Sequence, residues 1–455
     1  MAKSINVAQG SGYELWTGAL RSAKYVVAPM VDQSELAWRM LSRKLGAQLC
    51  YTPMLHASVF VRDVNYRKIH MVTCLDDRPL IVQFCANNPD TLLKAAKLVE
   101  PYCDAVDLNL GCPQTIAKKG HYGAFLQEEW DLLHDMISLC HKELSIPITC
   151  KIRIFEDVER TVQYAKMLEA AGAQIITVHG RTKEQKGPNT GVASWKHVKA
   201  VKENVSVPVF SNGNIQFLRD VENCIAETKC DGVMIAEGSL HNPALFTGKQ
   251  PPCWEMADEY IAMVEQYPCA LTCSRGHLFK IWHFVLQRPE HAESRHKMGK
   301  AKSFSQLKTV SQDLKTALLQ SLSAEELEKH FELDNIPYWR CQPYVRPSPG
   351  KTTQCKRPLD SQTTDSSEKK VKKEEKKKKC IVKERKWQVC MKCHRNPRGQ
   401  TCEYKFCKVC CRIKTRSELL NCTGHKFNRV RPMNQTAKNT EIASDIQECN
   451  DVVTT

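Results

Sequence analysis

The chain has 455 residues, too many for one ordinary core, and its 42% apolar and 25% charged content is that of a soluble globular protein. Lys and Arg outnumber Asp and Glu by 66 to 50, a net charge of +16, which points to a polyanionic partner, nucleic acid first. A lysine-rich stretch, SSEKKVKKEEKKKK, accounts for part of that excess, so charge alone does not name RNA. No apolar run approaches the roughly 18 residues of a membrane helix. The opening MAKSINVAQGSGYELW lacks the apolar core of a secretory signal. The 23 cysteines are therefore expected to be reduced thiols, in cytoplasm or nucleus, serving as packing, ligands or catalysts.

Eight strand-like runs follow in chain order: YVVAPM, AQLCYTPM, LIVQFC, AVDLNLGC, PITCKIRI, QIITVHGR, VPVFSNG and DGVMIAEG. Most are continuously apolar, as strands buried on both faces should be. Helical patterns separate most of them. SELAWRMLSRKL has Ser34 as its cap, NPDTLLKAAKLVEP opens on an Asn-Pro start signal, and QEEWDLLHDMISLCHKEL, DVERTVQYAKMLEAAG, SWKHVKAVKEN and FLRDVENCIAET come after. This rhythm predicts a (β/α)8 TIM barrel over residues 17–250, with a doubly wound open sheet as the competing arrangement. Residues 253–345 show helical spacing without strands and read as a small all-α domain rich in Lys, Arg and His. Pro, Ser, Thr and Lys dominate 346–386, a basic linker without a packed core. A compact Cys/His segment occupies 387–430, and 431–455 is a loose tail.

Active sites of such barrels lie at the strand C-termini. The residues there are Pro29-Met30-Val31 after strand one, Gln83 and Cys85 on strand three, and Asn109 and Cys112 after strand four. Lys151 and Arg153 follow on strand five, His179 and Arg181 on strand six, Asn212-Gly213-Asn214 after strand seven and Ala236-Glu237-Gly238 after strand eight. Glycine turns after strands seven and eight form the usual phosphate site of these barrels. Lys151, inside an apolar strand, needs a partner, either an anionic ligand or a core acid such as Asp107. His179 is open to the same choice between ligand and core. Gln83 and Asn109 suit the carbonyl and N–H edges of a heterocycle, so the set points to a phosphorylated ring system such as flavin mononucleotide (FMN). Cys112, in Gly111-Cys112-Pro113, is open to packing, metal ligation or catalysis.

The motifs APM, VQFCANNPD, VDLNLGCPQTIAKKGHYGAFL, CKIR, VHGRT, FSNGNI and GVMIAEGSLHNPALF, in order and at fitting spacings, resemble those of tRNA-dihydrouridine synthases. APMVDQSELAWR and the YP…HLFKIW stretch resemble the branch acting on adjacent uridines 16 and 17 of the D-loop. The resemblance implies an FMN barrel with a helical tRNA-binding domain, NADPH or NADH as reductant, and hydride transfer to C6 of an extruded uridine. It places Pro29, Met30 and Val31 along the flavin and Gln83 at its ring edge, and has Lys151 and His179 on its polar atoms. Asn212, Gly213, Asn214, Ala236 and Glu237 would hold the phosphate end. Glu237 departs from the pattern, since many members have Arg there, and would serve through its backbone N–H.

The resemblance makes Cys112 the proton donor, and the chemistry agrees. Hydride addition at C6 leaves an enolate-like carbanion at C5 that must be protonated, and a positioned general acid contributes about 10²–10⁴-fold. A thiol of ordinary pKa, near about 8.5, is mostly protonated at neutral pH, whereas an ordinary carboxyl is not. The target base must leave its stack, so positive charge should ring the mouth. Lys118, Lys119, His121, Arg153 and Arg181 are the candidates, with Arg275, His277 and Lys280 of the helical domain.

The C-terminal pattern is C-x2-C-x8-C-x4-C-x2-C-C-x10-C-x2-H, carried by Cys390, Cys393, Cys402, Cys407, Cys410, Cys411, Cys422 and His425. Eight ligands fit two tetrahedral zinc ions, and so short a segment lacks the apolar residues to fold without metal. Lys405, Phe406, Arg412, Lys414 and Arg416 between the ligands fit either RNA or a protein partner. The run 369–379 reads as a nuclear import signal, an RNA-attracting arm or a solvated linker. A monomer is expected, with tRNA as partner and no membrane. Two alternatives stand beside the reductase: an FMN barrel acting on a free pyrimidine, and a non-enzymatic RNA-binding scaffold.

Overall fold

A computed structural model describes residues 11–344, 388–394, 398–399, 401–418, 420–425 and 427. The linker expected at 346–386, with its lysine run, and the tail at 431–455 lie outside the described residues. The chain divides into two compact units, one up to residue 354 and one from 355.

The first unit is built on nine short strands: β1 (Tyr25–Val27), β2 (Leu49–Tyr51), β3 (Leu55–His56), β4 (Leu80–Cys85), β5 (Ala105–Leu110), β6 (Ile148–Arg153), β7 (Ile176–His179), β8 (Val209–Asn212) and β9 (Gly232–Ile235). All pairings are parallel. β1 pairs with both β9 and β2, and β2 pairs with β4, so the sheet closes on itself. This is the expected TIM barrel of eight staves, with one refinement. The second run, AQLCYTPM, forms only β2, and a further short strand, β3, begins directly after it; both lie beside β4. Pro53 has no N–H to give a ladder, and the Thr52 hydroxyl instead accepts the Gln83 backbone N–H at 3.1 Å.

The strands alternate inward and outward side chains. Val26, Leu49, Tyr51, Ile81, Ala105, Ile175, Phe210 and Met234 form one buried cluster within the barrel, and Leu15 and Leu20 join it from the N-terminal side. Leu15 sits on a short helix, Gly12–Thr17, that the sequence reading did not anticipate. A capping box between Ser11 and Glu14 starts it. A Cβ at Gly12 would lie 2.1 Å from the Gln174 carbonyl oxygen, so only glycine lets the helix approach the barrel this closely. Outward strand residues pack under the crossover helices, among them Pro89–Lys97, Trp130–Glu143, Val158–Ala170 and Leu218–Thr228.

Helices follow the barrel, including Cys253–Gln266, Leu271–Ile281, Ala292–Lys300 and Phe304–Ser321, with a last short one at Ala324–Glu328. AEELEKHFEL was expected to be helical throughout, but only its first half is. The chain then returns to the barrel as an extended strap. Its Cys341 N–H donates to the Pro251 carbonyl at 2.9 Å, Trp339 stacks on Trp254 with ring centres 5.5 Å apart, and Tyr344 stacks on His241 at 5.3 Å. Among the described residues no helix is long and apolar enough to cross a membrane.

In the second unit a helix at Lys408–Ser417 and a Cys422–Phe427 bridge surround two cysteine clusters.

Candidate active site and candidate metal centres

The C-terminal ends of β6, β7, β8 and β9 open into a cavity of about 1250 Å³. Arg153, His179, Arg181, Asn212, Gly213, Asn214, Ala236 and Glu237 line it, together with Tyr344 of the strap. That volume exceeds the range of an ordinary small-ligand pocket, roughly 300–1,000 Å³, and leaves room for a cofactor and part of a larger substrate.

Lys151 is buried and its Nζ donates to Asn212 Oδ1 at 3.0 Å, while Asn212 Nδ2 donates to the Met234 carbonyl at 2.8 Å. Of the two partners the sequence allowed, Asp107 makes no direct bond; the lysine turns towards the mouth. Burial, and then the Arg153 charge, bring the Lys151 ammonium down to about 8. His179 stands beside it, its Nε2 3.1 Å from Arg181 Nη1. Burial and the surrounding Lys151, Arg153 and Arg181 charges hold its imidazole well below the ordinary range, hence neutral near pH 7.

Gly213 has φ of 120°, and a Cβ there would lie 2.7 Å from the Ala193 Cβ and 3.3 Å from Arg181 Nη1. A Cβ at Gly238 would lie 2.5 Å from the Ile215 carbonyl oxygen. Both glycines are thus required by close packing and not only as strand ends. Asn214 adopts a left-handed φ of 65°. Its side chain is committed to the protein: Oδ1 accepts from Ala193 N at 2.8 Å and Arg181 Nη2 at 3.0 Å, and Nδ2 donates to the Ala193 carbonyl. Glu237 opens the short helix Glu237–His241.

Gln83 and Asn109 meet in the barrel. Asn109 Nδ2 donates to Gln83 Oε1 at 2.8 Å, and Gln83 Nε2 donates to Asp107 Oδ2 at 2.8 Å. Asn109 Oδ1 accepts the backbone N–H groups of Gly111 at 3.1 Å and Cys112 at 2.9 Å. This small turn carries Cys112 off the strand end. Beyond Pro113 the chain forms a helix, Thr115–Gly120, followed by a 3-10 turn, Gly123–Leu126. Gly123 has φ of 68°, and a Cβ on it would come within 2.8 Å of the Cys112 carbonyl oxygen. Cys112 is half-buried against a cluster of Cys85, Ala117 and Tyr122, on which Met54 and Phe125 also pack. On β1's side, a Ser34 hydroxyl bonded to both Met30 N and Met30 O braces the Pro29-Met30-Val31 loop, at 3.0 and 3.2 Å.

The candidate RNA contacts separate into two groups. Lys118 and Lys119 are exposed on the helix beside Cys112. His121 is exposed as well, paired with Glu129 at 2.8 Å. Arg153 is not a surface group: it is buried, and its guanidinium donates to the Gly111, Thr182 and Gln185 carbonyls. It stitches the β5, β6 and β7 loops together, and Arg181 likewise binds the Gly191 carbonyl. In the helical region Arg275 donates to the Ala301 carbonyl and Lys280 to Gln33 Oε1. His277 is fully buried, stacked on Trp38 at 4.0 Å and paired with Glu35 at 3.0 Å. These three hold the helical region together and against the first barrel loop. Sequence could not show this, because a basic residue's partner lies far along the chain.

In the second unit the eight sequence-predicted ligands fall into two groups that could each hold a metal ion. Cys390, Cys393, Cys407 and Cys410 form one, and Cys402, Cys411, Cys422 and His425 the other. Within each group the ligand atoms lie within 4.8 Å of one another. The adjacent Cys410 and Cys411 face opposite groups from one helix. The pairing, illegible in the sequence, is therefore interleaved: the third ligand in chain order belongs with the last three.

Comparison with known proteins agrees with this geometry. The profile of the dihydrouridine synthase (Dus) family matches residues 26–334. The chain is 52% identical over 430 residues to a mouse tRNA-dihydrouridine(16/17) synthase [NAD(P)(+)]-like protein, covering 91% of this chain and 90% of the other. It is 45% identical to the Saccharomyces cerevisiae tRNA-dihydrouridine(16/17) synthase [NAD(P)(+)], over 72% of this chain and 84% of the other. It is 39% identical to the human tRNA-dihydrouridine(20a/20b) synthase [NAD(P)+]-like protein, over 58% of this chain and 84% of the other. The chain belongs to the dihydrouridine synthase family and is an oxidoreductase that makes dihydrouridine in tRNA.

Proposed function

We propose that this enzyme reduces the adjacent D-loop uridines 16 and 17 of tRNA, with FMN at the barrel mouth and NADPH or NADH as the reductant. The greater likeness to the 16/17 relatives than to the 20a/20b relative supports the position. Bound FMN, reduced by NAD(P)H, supplies the hydride for C6 of the uracil ring. The residues present fit that cofactor. The Lys151 ammonium and neutral His179 offer hydrogen bonds at the ring end, and the tightly packed Gly213 and Gly238 turns present backbone where a phosphate would lie. Met30 and Val31 offer an apolar wall.

Cys112 carries the reading. Its turn is pinned by two N–H bonds to Asn109 and closed by Gly123, which supports the reading of Cys112 as the group that hands a proton to C5. Exposed Lys118 and Lys119 beside it suit tRNA phosphates. The two C-terminal clusters, seven thiols and one imidazole, match zinc by ligand softness and count. The module serves RNA or protein contact rather than the reduction itself, and the enzyme acts as a monomer in cytoplasm or nucleus.

The test is Cys112→Ala. It keeps bound flavin and its reduction by NADPH but forms little dihydrouridine in tRNA, read by mass mapping of positions 16 and 17. Normal product from that variant removes the role of Cys112, and reduction of free uracil with none of tRNA removes the substrate.

A further inference from the structure

The barrel core holds an acid that the reaction as described leaves unused. Asp107 lies at the middle of β5, with no exposure to solvent. Strand register sets Gln83 of β4 on one side of it and Thr149 of β6 on the other. Both bond to it: Gln83 Nε2 donates to Oδ2 at 2.8 Å, and the Thr149 hydroxyl donates to Oδ1 at 2.7 Å. From there a single line of hydrogen bonds runs outward, through Gln83 to Asn109 and from Asn109 to the backbone N–H groups of Gly111 and Cys112.

We propose that Asp107 is a positioning residue whose carboxyl, through Gln83 and Asn109, fixes the direction of this chain and thereby holds the turn that presents Cys112. The proposal rests on the reading of Cys112 as the proton donor. The physical argument is one of polarity. A side-chain amide has an oxygen end and a nitrogen end, and either can face a neutral neighbour. Here both ends of the line are fixed. The carboxylate only accepts, so Gln83 must turn its NH2 inward and its oxygen outward. The backbone N–H groups only donate, so Asn109 must turn its oxygen to them and its NH2 inward. The two constraints agree, and they lock both amides.

The line also tolerates a proton. Desolvation raises the Asp107 carboxyl to about 7, against opposing bonds from Gln83 and Thr149 and the Lys151 charge. A proton on Oδ1 leaves Oδ2 accepting from Gln83. The Thr149 hydroxyl then accepts from the acid and turns to the Val106 carbonyl, 3.4 Å away. What the line needs is therefore an acceptor at Oδ2, not a charge.

The experiment uses the full flavin-loaded chain and three variants. Two quantities are read: dihydrouridine turnover on tRNA, and the alkylation rate of Cys112 by iodoacetamide, followed on its own peptide because the chain has 23 cysteines. Asp107→Leu, similar in size but with nothing to accept, is expected to lower kcat about 10- to 100-fold with KM for tRNA within about 3-fold, and to shift Cys112 alkylation several-fold. Asp107→Asn keeps an acceptor for Gln83, and both readouts return to within about 3-fold of the parent. Thr149→Val, which frees one carboxyl oxygen, moves both readouts in the same direction by less. If Asp107→Leu folds and loads flavin with both readouts unchanged, or if Asp107→Asn is as damaging as Asp107→Leu, the proposal falls. If Asp107→Leu does not fold, Thr149→Val decides, and unchanged alkylation overturns it. Alkylation reports the turn and not the chemistry, so full turnover by Cys112→Ala would defeat the catalytic reading while leaving the ordering of these variants to be judged by itself.

Discussion

Lys151 Nζ is bonded to Asn212 Oδ1 at 3.0 Å, which ties the mouth of β6 to that of β8 across the intervening β7. The lysine is buried, and its ammonium is brought down to about 8 by burial and by Arg153. A lowered lysine pKa means that the free folded protein binds fewer protons than the unfolded chain between about 8 and the ordinary value. This group therefore adds to stability as pH rises through that window. Flavin binding should run the other way, because an anionic or electron-rich ligand needs the charged form. Flavin affinity is expected to fall as pH rises past about 8. Lys151→Met should weaken it about 10- to 100-fold at pH 7, the worth of one charged hydrogen bond, and flatten the pH dependence. Titration followed by flavin fluorescence checks both.

Gly213 admits no side chain. Its φ of 120° is strained for any L-residue, and a Cβ would press on Ala193 at 2.7 Å. Gly213→Ala should cost about 1–3 kcal/mol of stability and release flavin. A lower melting temperature with a colourless purified protein is the expected outcome. A variant that retains its yellow colour would show that this turn does not contact the cofactor.

Cys410 and Cys411 are neighbours in sequence but belong to different groups that could each hold a metal ion. The purified protein is expected to carry two zinc ions. Cys410→Ser should loosen the ion held with Cys390, Cys393 and Cys407, leaving the other, and Cys411→Ser should do the reverse. Native mass spectrometry gives the count, and cobalt substitution distinguishes a four-thiolate site from a three-thiolate, one-imidazole site by its absorption. Removal of both ions by a chelator should render 388–427 sensitive to protease, because little apolar core remains to hold it.

His277 and Glu35 join the helical region to the first barrel loop, with Trp38 stacked beneath the imidazole. Burial pushes the Glu35 carboxyl up, but the His277 charge and hydrogen bond, with the Tyr260 hydroxyl, outweigh it and leave the group below its ordinary range. Its stabilising contribution is thus present above the ordinary carboxyl range and is lost as pH falls through the depressed value. His277→Ala should destabilise the protein by about 2–4 kcal/mol, since it leaves a largely buried carboxylate with one side-chain partner and a gap against Trp38. Thermal unfolding at pH 7 measures this, and the difference from the parent should shrink in acid.

Much of the barrel was legible because buried parallel strands leave continuous apolar runs, and a polar residue at the end of such a run has few places to go but the mouth. Of the residues singled out that way, His179 and Asn212 line the cavity, while Gln83, Asn109 and Lys151 are bonded to other side chains inside the barrel. The eight candidate metal ligands were legible because thiols at short, repeated spacings have little other use in a segment so poor in apolar residues. Where a side chain's partner lies dozens or hundreds of residues away, sequence gave residue type without geometry. Arg153 and His277 read equally well as RNA contacts, and only the fold showed Arg153 spent on three carbonyls and His277 buried between Trp38 and Glu35. The break of the second stave at Pro53, the helix at Gly12–Thr17 and the assignment of Cys410 and Cys411 to separate groups were likewise decided by tertiary packing. Asp107 is the sharpest instance. In sequence it is one acid in an apolar strand; strand register sets it between Gln83 and Thr149, and hydrogen-bond polarity then connects it to Cys112. Local pattern determines which residues are buried, while closure of the barrel decides which of them meet.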